Sequence, residues 1–299
     1  MKLPKPFMTS ICVPSSRPLE GGKADALSKV ALATREFPSQ PMLVGAFARD
    51  VWFWHLNGIE TERATEDVDI SMEFPDWKRF HAFVEKLLAL GFTQPVPSHP
   101  EKLIDPDTRQ KLDLLPFGAL SEDGRSIIWP TDQSHWSILG FEESYRTANL
   151  LSLTPELAIR VASLPAMVIL KAVAFYERLQ DRRRKDGGDI GFTLSHYLDV
   201  GNKARLTGGA DAGIMVLVGG DIQRAGAMLL GRDMGRMAQP STHDHIAAKL
   251  KMETGSSTCC PLAQEIRSKV TRGDFIRARV LLGDVLAGME TVGAAASPI

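Results

Sequence analysis

Hydrophobic and polar positions change period several times along this chain, and each change predicts an element. Residues 1–20 carry Pro4, Pro6, Pro14 and Pro18 without a period, which predicts an irregular arm. Between Ala24 and Glu36, Leu27, Val30, Ala31 and Thr34 fall on one side of a helix. The apolar run from Pro41 ends at Gly45, after which Ala48, Val51, Trp52 and His55 take helical spacing, so a strand, a tight turn and a helix follow one another. Ala64 to Ser71 alternates as a strand, with Asp67 and Asp69 on one face and Val68 and Ile70 on the other. Asp76 to Leu90 sets Phe80, Phe83, Val84, Leu87 and Leu88 on a helical stripe that stops at Gly91. Pro95 to Pro106 reads as a proline-rich loop. Gln110 to Phe117 alternates again, Lys111 and Asp113 against Leu112 and Leu114, and a hairpin is predicted across Glu122–Arg125 with Ile127, Ile128 and Trp129 continuing it.

From about Thr154 the pattern turns helical, with one helix running from Pro165 to about Gln180 behind a Ser163 cap. Gly201 to Gly220 is glycine-rich and predicts a mobile loop, and the alanine-rich stretch after Gly288 predicts a disordered tail. The expected architecture is therefore α/β, a mixed sheet with flanking helices in residues 1–153, a helical C-terminal domain in 154–290 and a tail over 291–299. No internal repeat is visible.

Composition narrows the class without naming it. Hydrophobic residues make up 44% and charged residues 24% of 299, as in an ordinary soluble globular protein long enough for two domains. A net charge of −1 argues against a strongly basic nucleic-acid binder while leaving room for a local basic patch. No apolar run reaches the roughly 18–20 residues of a membrane span, and no signal peptide is seen near Lys2 and Lys5. Cys12, Cys259 and Cys260 make no disulfide framework, so a cytoplasmic location is expected and the adjacent pair is read as incidental.

Candidate chemistry centres on the carboxylates. Asp67 and Asp69 one strand step apart repel each other unless a cation sits between them, and a hard divalent ion such as Mg²⁺ takes oxygen ligands beside water and phosphate. The alternative is a solvated edge strand with an acidic outer face. Gly45 followed by Ala46 lets a phosphate approach backbone N–H groups at a helix start. Asp113 on a neighbouring strand would complete a two-metal site of the kind that clamps both oxygens of an in-line phosphoryl displacement. His243 and His245 lack a third metal partner nearby and are read as structural or surface residues.

In this order, Gly45-Ala46, Asp67-x-Asp69 and Asp113 resemble the active site of the DNA polymerase β-type nucleotidyltransferase superfamily. Further stretches resemble the AbiEii-type nucleotidyltransferases, toxins of type IV toxin–antitoxin systems: Gly140–Arg146, Arg160–Pro165, Leu170–Arg178 and Lys185–Ile190. The likeness spans roughly residues 25 to 235. Ala46 stands where superfamily members often carry a second Gly or a Ser.

The resemblance implies an Mg²⁺-dependent enzyme, with two ions expected and Mn²⁺ as a substitute, that moves a nucleoside monophosphate from an NTP to an acceptor hydroxyl. Asp67, Asp69 and Asp113 would hold metal, and Asp113 would also help deprotonate the acceptor. Gly45 and Ala46 would face the phosphates. Arg49 and Lys171 would stabilise charge on the transferring and leaving groups, with Arg178 and Asp189 in the nucleotide site. Pattern alone allows Lys171 a different part, a packed stem with its ammonium in water. Asp186 or Asp189 could orient Lys171 or Arg178, and the cations Arg182–Lys185 read as a solvated face or loop. The acceptor implied is RNA such as tRNA, with an antitoxin protein as partner. A small-molecule nucleotidyltransferase and a non-catalytic binding module of the same fold are the competing readings. The helical half is expected to close over the nucleotide.

Overall fold

The computed structural model describes residues 10–61, 65–153, 158–177, 180–255 and 259–293. The chain divides into two compact units, Met1–Ser163 and Leu164–Ile299.

The first unit is built on a seven-stranded mixed sheet. In chain order it contains β1 (Ser10–Cys12), α1 (Gly21–Ala33), β2 (Met42–Val44), α2 (Gly45–Asp50), β3 (Asp67–Glu73), α3 (Trp77–Ala89), β4 (Lys102–Ile104), β5 (Lys111–Phe117), β6 (Ser126–Ile128), β7 (His135–Ser137), α4 (Phe141–Arg146), β8 (Asn149–Ser152) and β9 (Ala158–Val161). The sheet order is β1-β8-β9-β2-β3-β5-β4, while β6 and β7 pair only with each other. β2 runs antiparallel to β3, and β3 parallel to β5. Val68, Ile70, Leu103, Leu112 and Leu114 share one face of β3, β4 and β5, and all are buried. Their alternation with polar neighbours fixes the register, because a one-residue slip would turn the aspartates into this apolar layer. α3 starts where Asp76 accepts a hydrogen bond from the Arg79 amide, and it buries Phe80, Phe83, Val84 and Leu87.

Several expectations give way here. The proline-bearing arm contains β1, which pairs in parallel with β8, and the proline-rich loop contains β4, which pairs with β5. Both are three-residue strands, too short to show a period. The turn at Glu122–Arg125 exists, with the Asp123 carboxylate accepting from the Arg125 and Ser126 amides. It does not join β6 to β5, however, since both edges of β5 are already taken by β3 and β4. The helical pattern expected from Thr154 begins instead at Leu164, because β9 completes the sheet between β8 and β2.

The second unit is helical: α5 (Leu164–Glu177), α6 (Gln180–His196), α7 (Ile214–Leu217), α8 (Ile222–Met237), α9 (Pro240–Thr254), α10 (Pro261–Val270) and α11 (Phe275–Gly293). α8 and α11 pack so closely that a Cβ on Gly231 would lie 2.0 Å from the Val285 carbonyl oxygen, and one on Gly288 would lie 2.2 Å from that of Met228. The cations Arg182–Lys185, read as a solvated face or loop, lie inside α6, and so do Gly187 and Gly188. Tertiary packing overrides glycine's low propensity, since Gly187 and Gly191 face α10 at distances where a side chain would collide with Glu265 and crowd Lys269 and Ile266.

The glycine-rich stretch 201–220, expected to be mobile, is tied down. Asp211 is bonded by Arg205 and Arg236, and Asp233 by Arg205, Arg236 and the Tyr197 hydroxyl. Burial works to raise the Asp211 carboxyl, but the arginine hydrogen bonds outweigh it and hold the group at about 2. The first residues of the predicted tail are helical, since α11 continues to Gly293, past Gly288, and 294–299 lie outside the described residues. Among the described residues no helix is long and apolar enough to cross a membrane.

Candidate active site

The register of β3 and β5 brings the three predicted aspartates onto one face. Asp69 stands opposite Asp113, and Asp67 opposite Lys111, on strands that are direct neighbours. On the other side of β3, Val44 pairs with Asp69, so the turn after β2 arrives beside the Asp69 carboxylate. That turn is made by Gly45 at φ +70, where a Cβ would fall 1.9 Å from Asp69 Oδ2. Two requirements therefore converge on glycine: a left-handed backbone and room for a carboxylate. Ala46 follows as a buried residue in the first turn of α2.

The electrostatics are those of crowded carboxylates. Asp113 is half-buried, and burial first, then the negative charge of Asp67, raises its carboxyl above the usual carboxylate value. The charge of Glu101 adds to this, while Lys102 and Lys111 act against it. Lys102 lies directly opposite Asp113 across the β4–β5 pair. Asp67 Oδ1 is buried and makes no hydrogen bond, although the side chain as a whole is 46% exposed. Lys111 Nζ lies 3.8 Å from that oxygen, an ion-pair distance too long for a hydrogen bond, and 3.0 Å from Glu66 Oε2.

The donor set matches the chemistry of a hard divalent ion. Asp67, Asp69 and Asp113 offer only carboxylate oxygens, one of them a buried atom without a hydrogen bond, and a Cβ at Gly45 would fill the space beside Asp69 Oδ2. The carboxylates are not drawn into a ready-made cage: among the described residues, no three His, Cys, Asp or Glu side chains form a group able to hold a metal as they stand. His243 and His245 likewise belong to no such group.

The remaining predicted residues sit as follows. Arg49 is buried, and its Nη2 and Nε donate to Asp50 Oδ1 at 2.7 and 3.0 Å, an ion pair within α2. In the second unit Lys171 does not simply extend its ammonium into water. It bonds both Asp186 Oδ1 at 3.0 Å and Asp189 Oδ2 at 3.1 Å, two buried carboxylates one helical turn apart on α6. The Lys185–Ile190 stretch thus does two jobs, its aspartates holding α5 through Lys171 and Gly187 admitting α10. Arg178 lies outside the described residues.

Sequence reasoning passed over Lys102 because its strand is short, and gave Lys111 no role because a lysine alternating with leucines reads as a solvent-facing position. The signal that would have found both is the pairing of β4 and β5, which only the fold supplies.

No family model and no curated protein matches this chain. Among solved structures, it is similar to the antibiotic-resistance factor ANT(2'')-Ia, at 14% identity and a TM-score of 0.34 over 61% of this chain and 92% of that one. A likeness this remote assigns neither fold nor activity.

Proposed function

We propose that the first unit carries out Mg²⁺-dependent transfer of a nucleoside monophosphate from an NTP to an acceptor hydroxyl, releasing pyrophosphate. The observation behind this reading is the apposition of Gly45 and the Asp69 carboxylate, with Asp113 in register on the next strand. An acidic outer face needs no glycine kept clear of a side chain at that point. Asp67, Asp69 and Asp113 would hold the metal, with Mn²⁺ able to replace Mg²⁺. Bound there, the ion would supply Lewis-acid stabilisation of the phosphoryl oxygens. Asp113 takes the acceptor's proton while the hydroxyl oxygen bonds to the α-phosphorus and the bond to pyrophosphate breaks.

The backbone of Gly45 and Ala46 faces the phosphates. Arg49 serves the transfer only by exchanging Asp50 for phosphate. Lys171, held by Asp186 and Asp189 within the second unit, is given no part in this transfer. RNA is the proposed acceptor, as in AbiEii-like toxins, and an antitoxin protein the proposed partner. The net charge of −1 favours the second reading, a small-molecule acceptor.

Incubation with each labelled NTP, Mg²⁺ and total RNA tests the proposal. Label is expected in RNA with the wild type and in neither Asp67→Asn nor Asp69→Asn, both of which keep wild-type circular dichroism. Full transfer by either variant at saturating Mg²⁺ rejects the carboxylate assignment. Label entering only small-molecule acceptors moves the reading to the second class.

A further inference from the structure

Lys111 occupies an unusual place for a lysine. It is paired in register with Asp67, the first of the proposed metal-holding carboxylates, and it stands two residues before Asp113 on the same face. Its ammonium lies 3.8 Å from Asp67 Oδ1, the buried oxygen that makes no hydrogen bond. At 3.0 Å it also meets Glu66, whose side chain is 82% exposed. One cation is therefore shared between a carboxylate inside the site and a carboxylate at its rim.

The shared position has a physical reason. Three carboxylates on two adjacent strands repel one another, and a nearby positive charge relieves that repulsion. Lys111 stands in register with Asp67 and two residues before Asp113, so its positive charge lies among theirs, and its ammonium donates a hydrogen bond to Glu66. A divalent ion arriving at Asp67 meets the same ammonium as a competitor. Lys111 has the means to leave, because its side chain is half exposed and flexible and Glu66 already holds it.

We propose that Lys111 is a built-in counter-cation for Asp67, which an incoming divalent metal displaces towards Glu66, so that this lysine sets the metal affinity of the site. The inference rests on the carboxylates being metal ligands. It assigns Lys111 a positioning role and makes it no ligand.

Mn²⁺ binding to the full-length protein, measured from the paramagnetic resonance signal of the free ion without nucleotide, tests this directly. At low ionic strength Lys111→Met is expected to bind Mn²⁺ about three- to five-fold more tightly than the wild type, as befits the loss of one exposed competing charge. Lys111→Arg, which keeps the charge, should stay near the wild-type value. Raising salt to about 0.5 M should shrink the gap, because exposed charges are then screened. Unchanged or weaker binding by a folded Lys111→Met overturns the proposal. If Asp67→Asn abolishes Mn²⁺ binding while Lys111→Met leaves it unaltered, only the role of Lys111 falls. If the wild type binds no Mn²⁺, the metal reading fails and the inference falls with it.

Discussion

At the scale of single residues, Gly45 is where backbone and chemistry constrain each other most tightly. A side chain there meets both a left-handed backbone and the Asp69 carboxylate, with a Cβ 1.9 Å from Oδ2. Gly45→Ala should therefore cost about 1–2 kcal/mol from the backbone alone. The alanine also pushes Asp69 aside, so Mn²⁺ affinity should fall by more than the stability loss explains. Chemical denaturation run beside a Mn²⁺ titration separates the two effects, and a destabilised protein with unaltered affinity would place Asp69 outside the site. The shared face of Asp67 and Asp69 was legible in the sequence because a strand period of two puts them there whatever surrounds them. Lys111 and Lys102 were not, since their meaning depends on which strands lie beside β5.

At the scale of elements, glycines that look alike in the sequence do opposite work. Gly283 and Gly288 lie on α11, yet a Cβ on Gly283 would find its nearest neighbour at an ordinary 3.7 Å, whereas one on Gly288 would strike backbone of α8 at 2.2 Å. Gly283→Ala should stabilise the protein by about 0.5–1 kcal/mol through helix propensity. Gly288→Ala should destabilise it by about 1–3 kcal/mol or more, because the two helices must move apart. Thermal melts of the pair of variants check both signs, and equal shifts would mean that α8 and α11 are not in close contact. Long amphipathic elements were readable in advance: α3 was expected at Asp76–Leu90 and spans Trp77–Ala89. The three-residue strands β1 and β4 were not, because there a partner element rather than local sequence decides the conformation.

At the scale of the molecule, the change from strand to helical periodicity announced a mixed sheet followed by helices, while the boundary fell later than the pattern suggested because β9 closes the sheet from a distance. Each unit has its own buried apolar interior, Val68, Ile70 and Leu112 in the first and Leu229, Leu281 and Ile266 in the second. Two unfolding events are therefore expected in calorimetry of the metal-free protein, and variants should assign them. The raised carboxyl of Asp113 means that its charged form is disfavoured on folding. Its favourable contribution is complete below the ordinary value of 3.8 and is lost as pH rises through the higher folded value, so at neutral pH the charge is a cost. Asp113→Asn removes that cost. At pH 7 it should raise the midpoint of the first unit by about 1–3 °C, an advantage that disappears below pH 3.8, and it should leave the second transition where it was. Gly288→Ala should lower the second transition and spare the first. A single transition displaced by both substitutions would show that the chain unfolds as one cooperative body, and that the two interiors do not act as separate cores.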